Sequence, residues 1–131
     1  MEIRVYYEDT DAAGVVYHAN YLNYMERART EYLREQGLSV AAMAAAGAVF
    51  PVVRMSIDFK APARHDDLLK VTTVPVRVGG SSFTLRQQVL RSRDNQLLVL
   101  AEVTLACVSP SLKARRLPSE LRDLLASGVQ E

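Results

Sequence analysis

The sequence predicts an α+β fold in which one antiparallel sheet of about five strands wraps around a single long helix. Apolar residues recur at helical spacing only once over a long stretch, from Tyr21 to Tyr32, before Gly37. Segments of strand character follow, and they are joined by turns short enough for neighbouring antiparallel strands. A helix with one apolar side and a sheet with one apolar face each need cover, so we expect them to pack together.

Five segments have the composition of strands. Residues 3–7 are β-branched and aromatic, and residues 53–60 alternate between apolar and polar side chains, as in a half-buried strand. Three longer strands are predicted at 69–78, 83–91 and 97–108, with turns at Gly79-Gly80-Ser81 and Asp94-Asn95. Pro75 lacks an N–H donor, which predicts an edge or a bulge in its strand.

Three helices are predicted. The long one buries residues of one side, and Gly37 suits the position just past its end. The alanine-rich stretch at 40–47 predicts a short second helix. Pro118 at the first helical position opens a third, whose apolar residues are Leu121, Leu124 and Leu125.

Composition limits the classes of protein that the chain can belong to. Its 131 residues, 49% hydrophobic and 24% charged, predict one globular domain over 1–131. A formal net charge of +1 gives no reason to expect a nucleic-acid partner. The single cysteine, Cys107, lies in an apolar strand, so we expect a buried, inert thiol in a reducing compartment. No stretch is apolar enough for membrane insertion, and a cytoplasmic location is the expectation.

Residues 7–21 carry most of the chemical information. Asp9, Asp11, Gly14 and His18 lie just before the long helix. A carboxylate can act as a base or nucleophile on a carbonyl, and free N–H groups at a helix start can stabilise the oxyanion. Each residue also has a structural interpretation, because an aspartate can cap a helix or brace a loop and a histidine can be held by backbone contacts. We interpret Asp9 as the brace and Gly14 as a residue required for backbone conformation.

The order Asp-Thr-Asp-x-x-Gly-Val-Val-Tyr-His-x-x-Tyr, followed by Glu-Arg-Ala-Arg at 26–29, resembles the hot-dog-fold acyl-CoA thioesterases of the 4-hydroxybenzoyl-CoA thioesterase family. Within that family the chain is most similar to the YbgC-type branch, which is encoded with the Tol–Pal cell-envelope system. The segments at 50–54, 59–64, 66–67 and 116–118 extend the resemblance over almost the whole chain. The resemblance implies hydrolysis of an acyl-CoA to the free acid and CoA, with no cofactor and no metal.

The same resemblance implies roles for individual residues. Asp11 would attack the thioester carbonyl or activate a water to do so, and the two routes stay open. A backbone N–H at Tyr17 or its neighbours would polarise the carbonyl. His18 would orient the thioester or the water, or protonate the leaving thiolate, while Gly14 and Val16 would position the substrate.

The sequence also gives expectations for the residues that bind coenzyme A and for the number of subunits. The candidate cations for the phosphates are Arg64, Arg77, Lys113, Arg115 and Arg116. Ser81 and Ser82 are the candidate hydrogen-bond donors, although the 4-hydroxybenzoyl branch has a more basic turn there. The resemblance implies a homodimer or homotetramer with active sites between subunits. One helix leaves a sheet edge open, and apolar strand residues such as Leu98, Leu100 and Ala106 are expected to be exposed.

Other functions remain open from the sequence alone. One alternative is a non-catalytic module that binds acyl-CoA or an acyl-carrier protein and does not need an ionised Asp11. Another is a protein that contacts envelope or lipid-synthesis partners. An acyl-carrier protein could also be the physiological acyl donor. The chain lacks a Gly-x-Ser-x-Gly elbow, which argues against an α/β-hydrolase.

Overall fold

The computed structural model describes residues 1–130 and contains a five-stranded antiparallel sheet in the order β1-β3-β4-β5-β2. The strands are β1 (Glu2–Arg4), β2 (Val52–Phe59), β3 (Leu68–Val78), β4 (Ser82–Arg91) and β5 (Gln96–Ala106). The helices are α1 (Asn20–Glu35), α2 (Val40–Ala45) and α3 (Ser119–Ser127), and a 3-10 turn covers Tyr7–Asp9. The predicted fold class, a sheet of five strands with one long helix, is confirmed.

Helix α1 lies against the sheet through one side. Tyr21, Tyr24, Met25, Ala28 and Leu33 are its buried residues. Its end is a Schellman motif: the Gly37 N–H donates to the Arg34 carbonyl and the Leu38 N–H to the Leu33 carbonyl, at 3.0 and 2.9 Å. Gly37 has a φ of +86°, which confirms its predicted place after the helix.

The first strand is shorter than predicted. It ends at Arg4 because the Tyr6 N–H donates to the Asp9 carboxylate at 2.9 Å and a 3-10 turn begins at Tyr7. The register between β3 and β4 shifts between Pro75 and Arg77, so the predicted bulge at Pro75 is confirmed. Strand β5 ends at Ala106, two residues before the predicted limit.

Two details of the other helices differ from prediction. Helix α2 ends at Ala45, and its start is capped by the Ser39 hydroxyl, which accepts the Ala42 N–H at 3.1 Å. Pro118 is the N-cap of α3 and not its first helical residue, because its ψ of 138° is extended. No helix within residues 1–130 has the length and apolar character needed to cross a bilayer.

The outer strand β2 is more exposed than its pattern predicts. Val53 and Phe59 are 60% and 50% exposed, whereas Met55 and Ile57 pack partly against the core. Strand β2 pairs on one side only, with β5, which leaves its other edge without a partner among residues 1–130. The prediction that Leu98, Leu100 and Ala106 would be exposed is wrong, because Leu98 of β5 is fully buried and the other two are half-buried. Strand β2 is therefore an edge of the sheet that carries exposed apolar side chains; β1 is the other edge.

Candidate active site

A tight loop before α1 presents Asp11. The Asp11 N–H donates to the Val15 carbonyl and the Gly14 N–H donates to the Asp11 carbonyl, both at 2.9 Å. Gly14 has a φ of +78°, and a Cβ placed there would meet nothing within 4 Å. The glycine is therefore required for its backbone conformation and not to avoid a clash. The structure does not place Gly14 in the wall of the neighbouring cavity, so its part in substrate positioning is indirect.

The loop is attached to the segment between β2 and β3. The Val16 N–H donates to the Ala63 carbonyl at 2.8 Å, and Val15 forms an isolated bridge with Arg64. Ala63 is fully buried, and its own N–H donates to the Tyr21 hydroxyl at 3.1 Å. Val16, Ala63 and Tyr21 therefore connect the Asp11 loop, the segment after β2 and the first turn of α1.

Asp9 braces the start of the helix, as predicted. One carboxylate oxygen accepts the Tyr6 N–H at 2.9 Å, and the other accepts the Asn20 side-chain N–H at 2.8 Å. Its backbone carbonyl accepts the Tyr17 N–H at 2.9 Å. The Tyr24 hydroxyl is buried nearby, and burial, followed by the Asp9 carboxylate, raises the pKa of Tyr24.

Asp11 has a different set of partners. Its Oδ1 accepts the Ala13 N–H at 2.9 Å, which fixes the side-chain direction. Its Oδ2 has no hydrogen-bond partner within the part of the chain that the structure describes, and the residue is exposed. One carboxylate oxygen of Asp11 is thus held while the other is free to meet a substrate or a water.

The N–H groups at the start of α1 divide into bonded and free donors. The N–H groups of Val16 and Tyr17 are already bonded to the carbonyls of Ala63 and Asp9. The next two, of His18 and Ala19, meet no acceptor in residues 1–130. The prediction named Tyr17 or its neighbours as the source of the polarising N–H; Tyr17 itself is excluded because its N–H is used inside the fold, and its neighbours stay candidates. The free donors are one and two residues further on.

A cavity of about 350 Å³ joins these features. It is largely apolar and contains Asp11, His18 and Val16 from the predicted site; the remaining lining residues are Val15, Tyr21, Phe59, Lys60, Ala61 and Pro62. The sequence assigned no chemical role to the second group. The signal was present, because the segment at 59–64 was part of the family resemblance.

The His18 ring faces the cavity and is exposed. Its centroid lies 4.6 Å from that of Tyr17 and 6.2 Å from that of Phe59, which it meets edge to face. Neither ring nitrogen has a hydrogen-bond partner within the described residues. The ring is held by its contacts with the rings of Tyr17 and Phe59. The imidazole is therefore oriented without using its nitrogens.

The three residues expected to bind CoA lie in different places. Arg64 is exposed and lies beside the site through its bridge with Val15. Ser81 and Ser82 lie at the opposite end of the sheet. Ser82 pairs with Ala106 of β5, whereas Phe59 pairs with Val99, a separation on the order of 20 Å along the strand. One chain does not bring the two serines to its own Asp11, so a role for Ser81 and Ser82 in binding CoA stays a prediction that requires a second subunit.

Cys107 takes no part in the site. Cys107 is fully buried, as predicted, and burial raises the pKa of its thiol. Its sulfur lies 3.6 Å from the Arg116 carbonyl, among the residues at the far end of the sheet. Across residues 1–130 no group of three or more His, Cys, Asp or Glu side chains is arranged to hold a metal ion.

Comparison with known proteins gives the family. The sequence pattern of the thioesterase superfamily matches residues 13–98, from the Asp11 loop to the start of β5. The chain belongs to this superfamily. It is therefore an enzyme of the thioester hydrolase class, which confirms the resemblance found in the Asp-x-Asp motif. The matched region contains His18, Val16 and the segment after β2 that lines the cavity.

Individual relatives agree over most of their length. The chain is 45% identical over 120 residues to an Escherichia coli protein named acyl-CoA thioester hydrolase YbgC, covering 91% of this chain and 89% of that protein. It is 41% identical to an acyl-CoA thioesterase YbgC from Haemophilus influenzae, covering 92% and 88%. A crystal structure of a 1,4-dihydroxy-2-naphthoyl-CoA thioesterase from Synechocystis superposes with a TM-score of 0.89 at 30% identity, covering 96% and 93%.

Proposed function

We propose that this thioesterase hydrolyses acyl-CoA to the free acid and CoA, with Asp11 acting on the thioester carbonyl. The observation that carries the proposal is that Asp11, which has a free carboxylate oxygen, and His18, which has an unused N–H, line one cavity, with a second unused N–H at the next residue, Ala19. A thioester needs both a group that adds to its carbonyl carbon and a donor that stabilises the oxygen. The names of the E. coli and H. influenzae relatives support acyl-CoA as the substrate class.

The N–H groups of His18 and Ala19 are the proposed oxyanion donors. They lie at the start of α1, where the helix dipole places partial positive charge. Because the fold leaves them without acceptors, they need no rearrangement before the carbonyl oxygen gains charge. One such donor contributes about 3 kcal/mol to a transition state in other acyl-transfer enzymes.

Asp11 can act by two routes that share one geometry. In the first, its free oxygen attacks the carbonyl carbon, the thiolate of CoA leaves, and water hydrolyses the resulting anhydride. In the second, the carboxylate takes a proton from water, which attacks in its place. Single turnover in ¹⁸O-labelled water tests the first route, because the label enters Asp11 only when water opens the anhydride at the Asp11 carboxyl carbon; the second route leaves Asp11 unlabelled.

His18 is proposed to act through its ring as well as its N–H. The imidazole lines the cavity beside Phe59 and keeps both nitrogens free. It can donate a proton to the leaving thiolate or hold the attacking water. Val16 is proposed to position the acyl group from the apolar wall, while Gly14 shapes the loop that carries Asp11.

The CoA moiety and the assembly extend this proposal. Arg64, next to Val15, is proposed to contact the CoA phosphates from the same subunit.

A two-fold dimer through the open β2 edge would place the Ser81–Ser82 end of one subunit towards the Phe59 end of the other. We propose such a homodimer, on its own or doubled into a homotetramer. An acyl-carrier protein is the other acyl donor to test, and the substrate class fits a cytoplasmic enzyme.

Release of free thiol from short, long and aromatic acyl-CoAs tests the function. We expect wild-type turnover on at least one of them and a fall of at least 100-fold in kcat for Asp11→Asn. Asp123→Asn is the matched control, because Asp123 is an exposed carboxylate on α3, far from the cavity. If no acyl-CoA is turned over while acyl-CoA still binds tightly, the chain is a binding module and the proposal is wrong.

A further inference from the structure

The guanidinium of Arg91, at the end of β4, is buried behind the wall of the cavity. Arg91 is 8% exposed and faces the α1 side of the sheet. Its Nη2 donates to the Pro62 carbonyl at 3.0 Å, and Nε lies 3.4 Å from the Asp67 carboxylate. Both contacts are to the segment between β2 and β3, at two points five residues apart.

The other side of the same guanidinium is held by the turn between β4 and β5. Its Nη1 donates to Asp94 Oδ2 at 3.1 Å and to Gln96 Oε1 at 2.8 Å. The Asp94 carboxylate is itself fixed by the Gln96 N–H at 3.1 Å. Arg91 therefore connects a turn that takes no part in the cavity with the backbone that forms the cavity wall. Its planar shape allows it to hold all four acceptors at once.

The contact to Pro62 connects Arg91 with the groups proposed to react. Pro62 lines the cavity with Asp11 and His18, and the next residue, Ala63, accepts the Val16 N–H at 2.8 Å. The Ala63 N–H donates to Tyr21 in the first turn of α1. A shift of the Pro62 carbonyl would therefore move both the Asp11 loop and the helix start that carries the free N–H donors.

We infer that Arg91 is a positioning residue of this thioesterase, which fixes the Pro62–Ala63 backbone and through it the distance between Asp11 and the oxyanion donors. The effect on catalysis rests on the proposed function of Asp11 and His18. Misplacement of a reacting group by about 1 Å can cost on the order of 100-fold in rate. Arg91 does not line the cavity, so we expect its loss to lower kcat while KM changes little.

Steady-state kinetics of Arg91→Lys and Arg91→Ala test the inference at a temperature where each variant is folded. Lysine keeps the charge but does not reach all four acceptors, so we expect a kcat about tenfold lower, with KM within about threefold of wild type. For Arg91→Ala we expect a larger loss and partial recovery of kcat when millimolar guanidinium is added. Asp11→Asn should not recover under the same conditions.

Thr84→Val is the matched control. Thr84 is 2% exposed on the same strand, and its hydroxyl bonds to Thr104 at 2.8 Å on the opposite face of the sheet. We expect Thr84→Val to lose stability and to keep its kcat when folded. If the Arg91 variants behave like Thr84→Val, Arg91 only stabilises the fold and the inference is wrong.

Amide hydrogen exchange gives a readout that does not depend on activity. We expect the Val16 N–H, which is bonded to Ala63, to exchange faster in Arg91→Lys than in wild type and to be unchanged in Thr84→Val. Unchanged Val16 exchange in both Arg91 variants would overturn the inference. A wild-type enzyme inactive on every acyl-CoA would instead contradict the proposed function, and the exchange result would still decide the role of Arg91.

Discussion

Asp9 and Asp11 are the same residue type, two positions apart, yet the fold uses them in opposite ways. Both carboxylate oxygens of Asp9 accept hydrogen bonds, from Tyr6 and Asn20. Asp11 has one oxygen bonded to Ala13 and one free. The two residues share their type and their closeness to the helix, and they differ in the number of carboxylate oxygens left without a hydrogen bond. That number separates Asp9, which braces the helix start, from Asp11, which is proposed to react.

The backbone N–H groups of Tyr17 and His18 show the same contrast between a bonded and a free group. The Tyr17 N–H is consumed by the Asp9 carbonyl, whereas the His18 N–H has no acceptor in residues 1–130. Asp9 therefore determines where the free donors begin. Its side chain holds Asn20 and its carbonyl takes the Tyr17 N–H, so the first unused N–H belongs to the residue whose ring also lines the cavity.

Replacing each aspartate with alanine should separate stability from activity. Asp9→Ala leaves the Tyr6 N–H and the Asn20 amide without their acceptors, and we expect a loss of about 3 kcal/mol in the free energy of unfolding. Asp11→Ala removes one exposed bond, and we expect a loss below about 1 kcal/mol. Urea unfolding of the two variants measures this, and equal losses would contradict the contrast.

The free backbone donor can be tested with two substitutions of one residue. His18→Ala removes the ring, and His18→Pro removes the ring and the N–H together. Residue 18 follows Tyr17 in a turn closed by the Asn20 N–H at 2.8 Å, a position that proline suits. We expect kcat of His18→Pro to be at least about tenfold below that of His18→Ala. Equal rates in two folded variants would exclude this N–H as an oxyanion donor.

Gly14→Ala should disturb the loop that carries Asp11 and leave the hydrogen bonds of Asp9 intact. Alanine at a φ of +78° is strained by about 1 kcal/mol, although its Cβ has open space. We expect a small fall in thermal midpoint together with a larger fractional loss of kcat, because the strained loop carries Asp11. Gly37→Ala, at a φ of +86° after α1, is the matched control and should lose stability without that loss of kcat.

Asn20→Ala should have the smallest effect. It removes one of the two acceptor contacts of Asp9 and leaves the Tyr6 contact in place. We expect a loss below about 1 kcal/mol in the free energy of unfolding, since alanine is also the better helix former. Circular dichroism during thermal unfolding checks the value. A loss as large as that of Asp9→Ala would mean that Asn20, and not Tyr6, is the main partner of Asp9.

The sequence predicted the long helix, its Gly37 end, the four later strands and the bulge at Pro75 because each depends on residues close together in the chain. It did not predict the exposure of β2 or the burial of Leu98. An alternating pattern shows which side of a strand is apolar, but it carries no information on which neighbour covers that side. Strand order decides this, and strand order depends on distant pairings.

The site also has features that local sequence predicts and features that depend on distant parts of the chain. The Asp-x-Asp motif, Gly14 and His18 were readable from the sequence because they lie within one short segment and match a known family. The choice of His18 over Tyr17 as the free N–H needed the Asp9 carbonyl, and the cavity needed Pro62 and Phe59 from another part of the chain. The position of Ser81 and Ser82 also needed the structure, since the sheet carries them about 20 Å from Phe59 of the same chain.

Local spacing and residue type were enough to predict the thioesterase family, the α+β class and the loop that carries Asp11. The tertiary structure alone decided which acceptors and donors stay unused, which wall faces Asp11, and that Arg91 lies behind that wall. The physical reason is that a hydrogen-bond partner is chosen by position in space. Pro62 and Arg91 become neighbours of the segment at 9–18 only when the sheet and α1 have packed together.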